Sequence, residues 1–140
     1  MGDRVGPFPA IKIDGGVSYA GFMDSIKRDS SMGRYFADET ECAQHTIFPG
    51  VRISTLGGER MLLSLVTFEP GAIVEWHSHP HEQMGMMVAG RAHFFVGDED
   101  KVLGPGEMYR IPGNIRHRVV ALDEEVKALD FFSPVREEYL

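Results

Sequence analysis

A chain of 140 residues fits one domain, and a domain of that length buries about 68–70% of its unfolded surface without needing staples. Hydrophobic residues make up 43% and charged residues 25%, an ordinary globular balance. The net charge of −7 argues against a nucleic-acid partner and a polybasic membrane anchor, and a single cysteine rules out an internal disulfide.

The opening Met1-Gly-Asp-Arg-Val-Gly-Pro is polar and broken, with no apolar stretch behind it. No secretory signal is expected, and the default location is cytoplasmic. Apolar runs such as Met86-Met-Val-Ala are too short to span a bilayer. Residues 1–45 read as an N-terminal arm and edge elements, and residues 46–140 as a barrel. Within the arm, Ser18–Arg28 could hold one or two helical turns, and Met32–Gln44 is expected to be irregular. Cys42 reads as a small buried hydrophobe, and His45 as a structural or surface residue.

From Pro49-Gly50 onward, Gly and Pro recur at short intervals as turn signals. Between them lie apolar or alternating runs: Met61–Phe68, Ile73–His77, Gln83–Ala89, Ala92–Val96, Glu107–Ile111, His117–Leu122 and Val126–Phe132. Short strands at this spacing predict an all-β sandwich or barrel. His93 should face outward if Ala92, Phe94 and Val96 face in. Asp98-Glu-Asp100 reads as a solvated hairpin tip.

His77-Ser-His79 closes a strand-like run, and side chains two apart on a strand share a face. Gln83 has the same parity beyond Pro80-His-Glu, and His117 arrives from a separate strand. Three imidazoles and an amide carbonyl on one inner face form a divalent-metal ligand set. Zn, Ni, Fe and Mn all suit it. Gln83 is neutral and cancels none of the ion's charge, which favours Lewis-acid work on a carbonyl or enol, or water activation. His81 shares the parity but lies in the insert, so it is a weaker ligand candidate.

These residues resemble the cupin family. Gly71-x5-His77-x-His79-x3-Gln83-x6-Gly90 is similar to the first cupin motif, with Gln in place of Glu. Gly106-x5-Pro112-x-Asn114-x2-His117 is similar to the second, with Asn for the inner Gly and Ala121 where the motif ends in Asn. The resemblance implies a β-barrel or jelly roll of two antiparallel sheets, a metal on these four residues, and a homodimer.

The carboxyl end reads Asp130-Phe131-Phe132-Ser-Pro-Val-Arg136. Asp130 has barrel-inward parity, where a carboxylate is costly unless paired or functional. It could be a general acid or base, and Arg136 could clamp a substrate carboxylate or pair with Asp130. Phe132 shares the Asp130 face. Met87 shares the Gln83 parity, and Trp76, Met61, Met84, Met86 and Met108 are near it in the pattern. Either these pack between sheets or some of them, Met87 and Trp76 first, line an apolar substrate pocket.

With H-x-H-x3-Q, the D-x-F-x3-R ending resembles cupins that ketonise unsaturated uronates from pectin and alginate. By that resemblance Asp130, Phe132 and Arg136 lie at the substrate. A second resemblance, to cupin polyketide cyclases with zinc in a hydrophobic cavity, fits the methionines. A non-redox metal isomerase or cyclase, an iron(II) dioxygenase and a non-catalytic small-ligand binder are the function classes left open.

Overall fold

Glycine and proline turns cut the second half of the chain into strands, as the punctuation predicts. Gly90 shows why one such turn needs glycine. Its φ is +71°, and a Cβ there would overlap the Glu125 carbonyl. The computed structural model describes residues 35–140. The helical turns expected within Ser18–Arg28, and most of the expected arm, lie outside them.

Among the described residues there are ten strands: β1 (Ala43–Phe48), β2 (Val51–Gly57), β3 (Leu62–Phe68), β4 (Ile73–His77), β5 (Glu82–Ala89), β6 (Ala92–Val96), β7 (Glu99–Leu103), β8 (Met108–Ile111), β9 (His117–Ala121) and β10 (Val126–Ser133). Short 3-10 turns sit at Glu39–Glu41 and Glu137–Tyr139. The expected division at 45/46 thus runs through β1. Glu99 and Asp100, expected in a hairpin tip, begin β7.

The strands form two antiparallel sheets, ordered β1-β2-β3-β10-β5-β8 and β4-β9-β6-β7. Among the described residues no helix is long and apolar enough to cross a membrane.

The larger sheet is laid out in rungs, because paired residues across antiparallel strands share a face. The outermost inward rung is Leu62–Phe132–Gln83–Ile111. Next comes Thr55–Ser64–Asp130–Gly85–Tyr109. Below it lies Ile53–Val66–Ala128–Met87, then Val51–Phe68–Val126. The two deep rungs meet Val74, Phe94, Val119 and Ala121 of the smaller sheet in the main core cluster. Burial of these apolar side chains drives the closure, at about 25 cal/mol per Å². The core closes one end and leaves the two upper rungs to line a cavity.

Candidate metal centre

His77 ends β4 and pairs with His117, which opens β9. The β4–β9 register shifts between Val74 and His77, the mark of a bulge. The bulge lets Val74 and His77, three apart, both face inward. His79 follows in the loop before β5. That loop is held by the turn after β8, where Asn114 donates its N–H to the His79 carbonyl at 2.7 Å. Asn114 has φ +67°, the left-handed region. Asparagine tolerates it, which explains Asn where the motif has Gly.

One ligand atom from each of His77, His79 and His117 lies within 4.8 Å of the others, and the three could hold a metal ion. Each ring is tethered by its own chain. Nδ1 of His77 meets the Glu75 carbonyl at 2.8 Å, Nδ1 of His117 the Ile115 carbonyl at 2.8 Å, and Nδ1 of His79 the His81 carbonyl at 3.0 Å. A carbonyl can only accept, so each Nδ1 carries the proton and each Nε2 presents a lone pair. His117 Nε2 is buried and has no hydrogen-bond partner.

Gln83 adds a fourth donor atom, an oxygen. Its Oε1 lies 3.1 Å from His79 Nε2. Its amide also hydrogen-bonds the Asp130 carboxyl, a contact that an ionised carboxylate makes only with the NH₂ end. The carbonyl end therefore turns to His79, and two acceptors face each other. A cation turns that repulsion into coordination, so the donor set fits a divalent metal. Burial holds all three rings below the ordinary imidazole pKa, His117 at about 4. They are neutral at pH 7, as ligation requires.

The cavity beside this group has a volume of about 430 Å³. His77, Gln83, His117, Phe132 and Arg136 line its mouth side, Ser64, Asp130 and Tyr109 its wall, and Ile53, Val66, Phe68, Val74, Phe94 and Val119 its far end. Asp130 is 7% exposed. Burial raises its pKa to about 6, against the lowering effect of hydrogen bonds from Tyr109 and Gln83 and of the Arg136 charge. Tyr109 donates its phenol proton to Asp130 Oδ1. Burial, then the Asp130 charge, pushes that phenol well above its ordinary range, so it stays a donor. Gly85 lies between the two in the rung, and a Cβ there would overlap both the Asp130 carboxylate and the Tyr109 phenol.

Of the residues expected at the site, the structure gathers His77, His79, Gln83, His117, Asp130, Phe132 and Arg136. Phe132 is buried and packs edge-on against His79, ring centroids 5.6 Å apart. Arg136 pairs with Glu138 at 2.7 Å, not with Asp130, and its guanidinium covers the Phe132 and Tyr139 rings. Two expectations need correction. Trp76 does not line the cavity: it sits 41% exposed beside Phe95 and Arg116, turned out by the bulge. Met87 has inward parity but lies two rungs below Gln83, fully buried in the core.

His81 is outside the three-histidine group, its ring 5.7 Å from that of His79. His93 bonds Asp100 at 2.6 Å on the outer face. Cys42 is half-buried, its thiol on the Asp38 carbonyl at 3.3 Å. Tyr109, Ser64 and Gly85 were not foreseen. A glycine inside the strand, between inward Gln83 and Met87, was the available signal of close approach.

A family model described as a cupin domain matches residues 64–132. The pectin degradation protein KdgF of Dickeya dadantii is 31% identical over 111 residues, covering 78% of this chain and 100% of that protein. L-ectoine synthase of Rhodococcus opacus is 36% identical over 83 residues, 56% of this chain and 62% of the synthase. Among solved structures, an RmlC-like cupin from Shewanella frigidimarina superposes with a TM-score of 0.71 at 26% identity, covering 79% of this chain and 99% of that one. The structure of KdgF from a Halomonas species gives 0.69 at 28% identity, covering 75% and 99%.

Proposed function

The chain belongs to the cupin family, and from that premise we propose a metal-dependent enzyme that ketonises a small unsaturated uronate. One observation carries the proposal: a carboxyl, Asp130, is buried in the cavity wall one rung below Gln83 and accepts the Tyr109 phenol proton. The similarity to a pectin degradation protein supports the substrate class, as does the D-x-F-x3-R ending.

His77, His79, His117 and Gln83 would hold one divalent ion, which supplies Lewis-acid polarisation of a carbonyl or enol oxygen. Ketonisation breaks the O–H bond of an enol and delivers a proton to the far carbon of the enol double bond, while the carbon bearing the oxygen becomes the carbonyl; no oxidant is needed. Asp130 is suited to that transfer, since it lines the cavity beside the ligand set and burial raises its carboxyl above the usual carboxylate range. Tyr109 and the Gln83 amide hold the carboxyl in place. Arg136 sets a guanidinium at the mouth for the substrate carboxylate. Phe132 shields the flank of His79 from water. Cytoplasmic residence and pairing as a homodimer belong to the same proposal, supported by the lone Cys42 and the family.

The test is direct. Metal-loaded protein is given an unsaturated uronate, and loss of the enol double bond is followed by absorbance and NMR. Appearance of the ketone at millimolar substrate supports the proposal, and an unchanged substrate overturns it. The apolar far end of the cavity favours a second reading, a polyketide cyclase, which the same assay with a linear polyketone separates.

A further inference from the structure

Ketonisation at the mouth leaves the second rung only partly used. Asp130 has a role there, but Ser64 does not. Ser64 is 1% exposed and lines the cavity, and its Oγ has no hydrogen-bond partner. A buried hydroxyl without a partner destabilises a fold, so its presence calls for a ligand. Its neighbour Thr55 is satisfied by the Tyr139 carbonyl.

We propose that Ser64, Asp130 and Tyr109 form a hydroxyl-binding rail one rung below the metal ligands, made for the hydroxyls of a polyol acid. The three are aligned by strand register across β3, β10, β5 and β8. Gly85 keeps the wall open between Asp130 and Tyr109, so both reach the same cavity. The chemistry of the rail is mixed. Ser64 can donate or accept. Asp130 accepts, and the Tyr109 oxygen keeps an accepting lone pair after giving its proton to Asp130. Sugar hydroxyls donate and accept, and they match this set; a hydrocarbon face does not.

The depth also fits. Two residues along a strand span about 7 Å, the distance from the metal rung to the rail. The next rung down, Ile53–Val66–Ala128–Met87, is wholly apolar and ends the polar reach. A six-carbon sugar acid spans that polar depth with its carboxylate at the mouth.

The inference rests on the sugar-acid reading for its ligand class, but its test does not need turnover. D-galacturonate, a saturated uronate that cannot ketonise, is titrated into metal-loaded protein by calorimetry. Cyclohexanecarboxylate, with the ring and the carboxylate but no hydroxyls, is the control. Ser64→Ala and Tyr109→Phe should each weaken galacturonate about fivefold to tenfold and leave cyclohexanecarboxylate unchanged. Ser64→Ala should also melt no lower than the parent, because it removes an unpaired buried group.

The rail is overturned if the parent binds galacturonate no better than cyclohexanecarboxylate. It is also overturned if the variants weaken both ligands alike, or neither. Binding in the expected pattern with no ketone formed from an unsaturated uronate would overturn the reaction and leave the rail standing. Ketone formed by the parent, with galacturonate bound no better than cyclohexanecarboxylate, would do the opposite.

Discussion

The two sides of the cavity hold their polar groups by different means. On the side of β4, β9 and the loop after β4, each histidine is tethered by a carbonyl two residues away in its own chain. On the side of the larger sheet, the Gln83 amide, the Asp130 carboxyl and the Tyr109 phenol hold one another across three strands. The first side is a set of independently anchored parts. The second is a network, in which the loss of one member disturbs the others. Substitutions on the two sides should therefore fail differently.

The largest effect is expected from His117→Ala. His77 and His79 keep their own tethers, so they stay in place but lose the third nitrogen. Metal affinity should fall at least about 100-fold and turnover should drop to background. Elemental analysis beside circular dichroism checks this. Full metal content in a folded variant would remove His117 from the ligand set and undo the contrast.

Asp130→Asn probes the other side. Turnover should fall about 10²–10⁴-fold, while metal content at saturating metal stays that of the parent, because the histidines do not depend on Asp130 for their tethers. Metal lost along with turnover would mean that the two sides are one unit.

The same variant has a pH signature in the metal-free protein. Asp130 rises from 3.8 to about 6 on folding. The folded state binds the extra proton, so this stabilisation is full below pH 3.8 and lost as pH rises through 6. At pH 7 the buried charge costs roughly 3 kcal/mol, two pKa units at 1.36 kcal/mol each. Asp130→Asn should thus be the more stable protein at pH 7, with the advantage gone by pH 4. His117 runs the other way. Its pKa falls from 6.5 to about 4, so its contribution is full above pH 6.5 and lost as pH falls. Melting curves from pH 7 to pH 4 compare the two sides in one experiment, and a pH-independent gap would break the assignment of opposite signs.

The same difference decides what the sequence could show. The histidine side is local. His77 and His79 sit two apart, the tethers are two residues long, and the spacing to Gln83 and His117 is a readable pattern. Strands such as Ile73–His77 and Ala92–Val96 were legible to the residue, because alternation and turn glycines are local as well. Trp76 was misplaced because one bulge shifts parity, and alternation carries no mark of a bulge. Met87 was misplaced in depth, since parity gives the face of a strand and not the rung. Ser64 and Tyr109 lie 21 or more residues from Asp130 in sequence, and only cross-strand register joins them. The shared polar rung of the wall was invisible for that reason.

Gly85→Ala is the smallest intervention and tests the network alone. Gly85 lies inside β5 and is not among the glycines with left-handed φ, so the backbone itself would accept alanine. In an open strand that change is neutral or stabilising, because glycine loses the most entropy on folding. Here the added methyl meets the Asp130 carboxylate and the Tyr109 phenol at once. It must push one off the other or shift β8. A cost of about 1–3 kcal/mol is expected, with turnover reduced and metal content intact. Denaturant midpoints and elemental analysis measure both. A variant as stable and as active as the parent would mean that the Tyr109–Asp130 contact is dispensable and that the larger sheet, like the smaller one, holds its groups one at a time.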